Sequence, residues 1–390
     1  MRRASIFTAS VTTALTLALA TPAASAAPTD FIKNPLEPTP DPQSTAMVEL
    51  PTTPAPTTTV DGRHVTVTDG YMTSQDGKGT QIYWKSNTIP NAKATVVVVH
   101  GAAEHLGRYE WVTGKLLNAG YNVYRLDHRG HGHTGQVEGT PVARGHIDDF
   151  HSLVDDLHML VEKAKAENPS TKTFLLGHSM GGLAVDFHGI KYPGSVDGIV
   201  ANGGGALFNP YGGTDKGETI TPEAMTDVQR EAQPTIYQRL PFQDMTTFNT
   251  RMLKEVPNRT EMRVPSLPGS DLIQVGNPLG AKTSSSQAVR DEYGTDPYNN
   301  SKLSLGMAQQ MAFAATYNGA NSVGFVEPTL VMMGGQDEIV PPFFSRDWYN
   351  GISSTDKQLI EFEGQFHETF NEPAQHEAIA TAIAWLDARI

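Results

Sequence analysis

The chain has 390 residues, with 29 Lys and Arg against 42 Asp and Glu, and no cysteine. A net charge of −13 disfavours nucleic acid and anionic lipid head groups as partners. Without cysteine there are no disulfides and no lipid-modified N-terminal cysteine, and the length suits one large α/β domain with an insertion, or two domains.

Residues 1–26 read as a secretory signal peptide. Arg2 and Arg3 open it, an apolar stretch runs from Ile6 to Ala20, and Ala24-Ser25-Ala26 forms an A-x-A cleavage site. The apolar part is too short and too rich in threonine to span a bilayer. The sequence thus predicts an exported chain, secreted or held in the cell envelope, with no integral membrane segment after cleavage. The arginine pair leaves the export route open. Loss of Arg2 and Arg3 takes the net charge from −13 to −15. Residues 27–60 are rich in proline and threonine, cannot bury enough apolar surface to offset their ordering entropy, and read as an extended tether.

The folded part is expected from Asp61. Asp76-Gly77 punctuates two strand-like runs, Tyr71–Ser74 and Thr80–Trp84, as in a hairpin. Val96-Val97-Val98-Val99 is a continuous β-branched run, the mark of a strand buried on both faces. Further runs lie at Val123–Leu126, Thr173–Leu176, Val196–Ala201, Thr329–Met333 and Gln358–Phe362. A helix is predicted over Ile147–Ala166, with Ile147, Phe150, Leu153, Leu157 and Leu160 on one face. A final helix is predicted from Pro373 onward. Alternation of strands and helices predicts an α/β fold with a doubly wound, mostly parallel sheet. Residues 206–322 break the alternation and read as an inserted helical cap between two core segments, 61–205 and 323–390.

Gly177-His178-Ser179-Met180-Gly181 spells G-x-S-x-G between the run Phe174-Leu175-Leu176 and a helix-like stretch. Strand, tight turn and helix make a nucleophile elbow, which pushes the serine hydroxyl out above the sheet edge. A serine needs a base, and the base needs an orienting carboxylate, in chain order Ser, acid, His. Asp337 follows the fifth run in Gly334-Gly335-Gln336-Asp337, with Glu338 as its rival. His367 follows the sixth run and precedes the last helix. The tetrahedral intermediate needs two backbone N–H donors. Met180, next to the nucleophile, is one, and Ala102, in the loop His100-Gly101-Ala102-Ala103, is the other. His128, His131 and His133 sit in a glycine-rich loop without a completing ligand set, so no metal site is assigned.

Three motifs in order carry a resemblance. His100-Gly101-Ala102-Ala103-Glu104-His105 with Gly107-Arg108-Tyr109, then Asp127-His128-Arg129-Gly130-His131-Gly132, then Gly177-His178-Ser179-Met180-Gly181-Gly182 resemble the monoacylglycerol lipases and lysophospholipase-like serine hydrolases. The Asp296-Pro297 region is similar to that family's return from cap to core. The resemblance runs from Tyr71 to the C-terminus and implies an α/β-hydrolase with a helical cap over an acyl-chain tunnel. It implies hydrolysis of carboxylic esters of lipid-like small molecules without metal or organic cofactor. Carried over, Ser179 is the nucleophile, Asp337 the orienter, His367 the base, and Ala102 and Met180 the oxyanion hole. Glu104 and Arg108 are similar to residues near the polar head-group pocket. The second motif departs from the family pattern, since Gly132 runs into His133-Thr134-Gly135 where G-x-S is usual. Open beside this reading stand an acyltransferase or envelope acyl-sugar hydrolase, a proline-type aminopeptidase, and a non-catalytic binding protein on the same scaffold. Oligomeric state is not legible.

Overall fold

The structure is a computed structural model and describes residues 58–60, 63–205 and 256–390. The predicted signal peptide, all of the tether before Thr58 and residues 206–255 of the predicted cap lie outside the described residues.

A nine-stranded sheet organises the chain. In chain order its strands are β1 (Thr58–Val60), β2 (Arg63–Thr73), β3 (Gln81–Thr88), β4 (Ala94–Val99), β5 (Tyr121–Leu126), β6 (Lys172–His178) and β7 (Gly198–Asn202). After a separate two-stranded ribbon, β8 (Gln274–Gly276) and β9 (Lys302–Ser304), come β10 (Thr329–Gly334) and β11 (Lys357–Phe362). The spatial order is β1-β2-β3-β5-β4-β6-β7-β10-β11. From β5 to β11 all neighbours are parallel, and β1, β2 and β3 join them antiparallel. The expected hairpin is the β2–β3 pair, with Thr73 opposite Gln81. The tether reading stops short, because its last three residues, Thr58–Val60, form edge strand β1 on β2. Their β-branched side chains favour that extended conformation.

Seven α-helices stand among the described residues: α1 (Glu110–Asn118), α2 (Phe150–Glu167), α3 (Met180–Lys191), α4 (Gln287–Thr295), α5 (Leu305–Asn321), α6 (Pro342–Gly351) and α7 (Gln375–Asp387). None is long and apolar enough to cross a membrane. The valine run of β4 explains the layering. Side chains alternate across a strand, so Val97 and Val99 join the core under α2, α3 and α5 while Val96 and Val98 join the core under α1 and α7. Both faces of the sheet are thereby covered, which is what a parallel sheet requires.

Helix α2 starts where Asp149, in an extended conformation, accepts a hydrogen bond from the His151 N–H. The predicted start at Ile147 is three residues early because Ile147 is buried before the cap. A second difference concerns the insertion, read to run through Ser322. Its last helix, α5, packs in the same core as α2 and α3, with Tyr317 stacked on Phe187 at 3.8 Å between ring centroids. Asn318 Nδ2 also donates to the Leu183 carbonyl at 3.1 Å. Helix α5 therefore belongs to the layer over the sheet, and its apolar periodicity reports that burial.

Candidate active site

The parallel strands deliver four loops to one edge. Gly101 and Ala102 follow β4, Ser179 follows β6, Asp337 follows β10 and His367 follows β11. Carboxyl ends of parallel strands are where α/β sheets build sites.

Ser179 sits at φ +55°, ψ −119°, a backbone conformation that L side chains rarely adopt. The neighbours force it. A Cβ on Gly177 would lie 2.3 Å from the Gly181 carbonyl oxygen, and one on Gly181 would lie 2.2 Å from that of Val99. Strand β6, helix α3 and strand β4 meet backbone to backbone, so the turn has no slack. The Ser179 N–H donates to the Asn202 carbonyl at 2.8 Å and its own carbonyl accepts from Leu183 N–H at 3.0 Å, which pins the turn on both sides. Among the described residues no hydrogen bond ties down the Ser179 hydroxyl.

His367 is oriented from behind. Its Nδ1 lies 2.6 Å from Asp337 Oδ2, while Asp337 Oδ1 accepts from the N–H groups of Ile339 and Val340 at 2.8 and 2.9 Å. With Nδ1 donating to the carboxylate, Nε2 is the nitrogen able to take a proton. Burial favours the neutral ring, but the Asp337 carboxylate outweighs it and raises the imidazole pKa above its ordinary value. The ring therefore becomes protonated as pH falls through that raised value. His178, 4.7 Å away between ring centroids, is driven the other way, to about 4, by burial and then by His367.

Ser179 and His367 line one small chamber together with Gly101, Ala102, Glu104 and Glu368. They make no direct hydrogen bond in this structure; such bonds commonly tighten only around bound substrate. Among the described residues the N–H groups of Ala102 and Met180 have no acceptor, Met180 being the first residue of α3 and so an orphan donor. Ser179 also lines an apolar cavity of about 280 Å³. Leu183, Leu279, Leu303, Met311 and Phe344 form its walls, and Ala312 of α5 is part of its lining.

Glu104 and Arg108 lie at and behind the wall of the small chamber. Glu104 lines the chamber, but its carboxylate accepts from Gly101 N–H at 2.5 Å, Tyr109 hydroxyl at 2.7 Å and Arg108 Nη1 at 2.6 Å. Arg108 lies behind that wall and reaches across to Glu368. The loop carrying Ala102 is held from the insertion as well. Ala103 is at φ +62°, and its carbonyl accepts from Asn300 N–H at 2.9 Å. Asn300 Nδ2 donates to the Gly130 carbonyl at 3.1 Å, and His105 Nε2 lies 2.9 Å from Asp296 Oδ2.

Asp127, in the second motif, is a buried organiser. Its oxygens accept from Leu106 N–H and His133 N–H, each at 2.8 Å. His128 and His131 each spend a ring nitrogen on a backbone carbonyl, of His100 and Arg129. His133 stacks between Tyr83 and Tyr298. Sequence reading did not single out Glu368, Asp127 as a loop anchor, or Asn300. The signal for Glu368 was its place directly after His367; nothing local marks Asn300.

Fold and site together define a serine ester hydrolase of the α/β-hydrolase class. Residues 90–374 match the family described as serine aminopeptidase, S33, and the chain belongs to that family. It is 29% identical to a monoacylglycerol lipase of Mycolicibacterium smegmatis, over 78% of this chain and 90% of the relative. It is 27% identical to the phospholipase YtpA of Bacillus subtilis, over 79% of this chain and 99% of the relative. The crystal structure of a Paleococcus ferrophilus monoacylglycerol lipase shares the fold, with a TM-score of 0.56 at 23% identity, over 79% of this chain and 99% of that one. The resemblance read from the three motifs is thereby borne out.

Gly181→Ala tests the crowding at the turn. The added methyl has only backbone oxygens of Val99 and His100 to meet, at 2.2 and 2.6 Å. The expected result is a loss of at least about 1–3 kcal/mol in a urea melt, with serine reactivity lost alongside. An unchanged midpoint would show that strand and helix have room to separate.

Proposed function

We propose that the protein is an exported serine hydrolase that cleaves the carboxylic ester of a lipid-like substrate of monoacylglycerol or lysophospholipid type. One observation carries the reading. Ser179 lines both an apolar cavity of about 280 Å³ and a small chamber that is also lined by His367, the partner of Asp337. An acyl chain suits the first compartment and an alcohol head group the second.

In this reading Ser179 Oγ attacks the ester carbonyl and its proton passes to His367 Nε2. The oxyanion is met by the N–H groups of Ala102 and Met180. Collapse expels the alkoxide, which takes the proton from His367 and leaves as the alcohol. Water then attacks the acyl-enzyme with the same base, releasing the fatty acid and Ser179. Asp337 keeps the ring in the tautomer that leaves Nε2 free. Glu104 lines the head-group end and Arg108 supports it from behind that wall. The cap is assigned to residues 206–304, from the end of the first core segment to the start of α5. The family description and the shared triad logic keep a proline-type aminopeptidase as the rival, and the apolar walls weigh against it.

Ser179→Ala is expected to remove nearly all turnover of p-nitrophenyl acyl esters, and covalent labelling by a fluorophosphonate, in a protein that still melts normally. Undiminished turnover in that variant sinks the reading, and a prolyl anilide preferred over the acyl ester selects the peptidase instead. No label on folded wild-type protein would mean a binding protein.

Ala312→Trp fills part of the apolar cavity. The ratio of long-chain to short-chain ester turnover is expected to fall by about tenfold. An unaltered chain-length profile would remove the acyl chain from this cavity.

Export is proposed from residues 1–26. The exported chain should begin at Ala27, read by N-terminal sequencing, whereas a retained Met1 would speak against a cleaved signal.

A further inference from the structure

Glu104, Arg108 and Glu368 form a buried cluster. Arg108 Nη1 donates to Glu104 Oε2 at 2.6 Å and to Glu368 Oε1 at 2.7 Å, and its Nη2 donates to Glu368 Oε2 at 2.8 Å. The three residues are 3%, 3% and 4% exposed. The Tyr293 ring covers the guanidinium at 4.8 Å, and Asn371 Nδ2 adds a bond to Glu368 Oε2 at 2.9 Å. Charges so buried are costly to desolvate, and an apolar trio of similar volume would serve stability as well or better. Their value must lie in what they connect.

Glu104 belongs to the loop after β4 and grips Gly101 N–H, one residue before the Ala102 donor. Glu368 is the next residue after His367. Arg108 is thus the link between two loops far apart in the chain, one carrying an oxyanion donor and the other the base. The cluster is also unbalanced, with two carboxylates against one guanidinium. Burial alone would neutralise both acids, but Arg108 outweighs it and holds each below the ordinary carboxylate range, so both are charged at neutral pH.

The groups facing His367 come from several elements. Asp337 touches it from the loop after β10, Glu368 lies on its own loop, and Glu104 lies on the loop after β4. His178, at the end of β6, stays neutral at working pH, and Arg108 sits behind the two glutamates.

We propose that Glu104, Arg108 and Glu368 act as a positioning strut, which sets the spacing between the Ala102 donor and His367 and supplies one surplus negative charge that favours the imidazolium formed during acyl transfer. The proposal rests on His367 as the base.

The test is the pH dependence of kcat/KM on a p-nitrophenyl ester, with the pH dependence of fluorophosphonate labelling in parallel, on the mature chain. Glu368→Gln and Glu104→Gln each remove the surplus charge. Both are expected to move the acidic limb down by about half a pH unit or more, in the same direction. Arg108→Lys keeps the charge but loses the two-pronged grip on Glu368. It should leave the limb in place and lower kcat severalfold with little change in KM. A role in stability alone would lower melting temperatures without moving the limb selectively. Limbs that coincide with wild type in both glutamine variants overturn the strut. Wild-type protein that neither turns over ester nor takes the label fails earlier, at the base assignment, and brings the strut down with it.

Discussion

Ser179 holds a φ of +55° because the chain leaves β6 and enters α3 where three backbones already touch. Gly177 and Gly181 permit that approach, since a Cβ at either position would force the backbones apart. The rest of the candidate site is measured from this turn. The Met180 N–H has no acceptor among the described residues because α3 begins at that residue, and the Ser179 backbone is engaged on both sides by Asn202 and Leu183. Strain of this kind persists only where the surroundings over-determine it. The two apolar layers around the valine run of β4 provide that surrounding rigidity.

Around the turn, electrostatics does the orienting. Asp337 is fixed by two N–H groups before it meets His367, so the imidazole is aimed by a carboxylate that cannot itself wander. Asp127 performs the corresponding service for the loops after β4 and β5, although it touches no reacting atom. The site is thus a set of loops that are individually short and mutually braced, with buried charges acting as ties. His178 and His367 illustrate how local this control is. Two rings 4.7 Å apart titrate in opposite directions because only one of them has a carboxylate at its Nδ1.

Much of this could be read from residue order. A run of four valines announces a strand covered on both faces, and a G-x-S-x-G between an apolar strand and a helix announces its own geometry, because both signals are local. The convergence of Ser179, Asp337 and His367 on one sheet edge is legible for the same reason, each lying just past a strand end. The rest depends on pairing across long separations. Helix α5 falls in the expected insertion because no buried-strand run interrupts residues 206–322, whereas the stacking of Tyr317 on Phe187 and the Asn318 bond to Leu183 put it in the core. The resemblance puts Arg108 near a head-group pocket, and nothing near it in sequence announces Glu368 as its partner. Thr58–Val60 looked like the end of a tether, since an edge strand of three residues leaves almost no pattern.

The ties from Asp296 and Asn300 have a practical consequence for anyone exchanging parts between such proteins. The returning limb of the insertion supplies the hydrogen bond that holds the left-handed Ala103, a bond to Gly130, and a partner for His105. A chimaera that swaps in a foreign insertion, with its junction placed after Asn300, would strip three supports from the loops after β4 and β5. Modularity along the chain therefore ends before Asp296, and a graft that respects the machinery has its seam upstream of that residue.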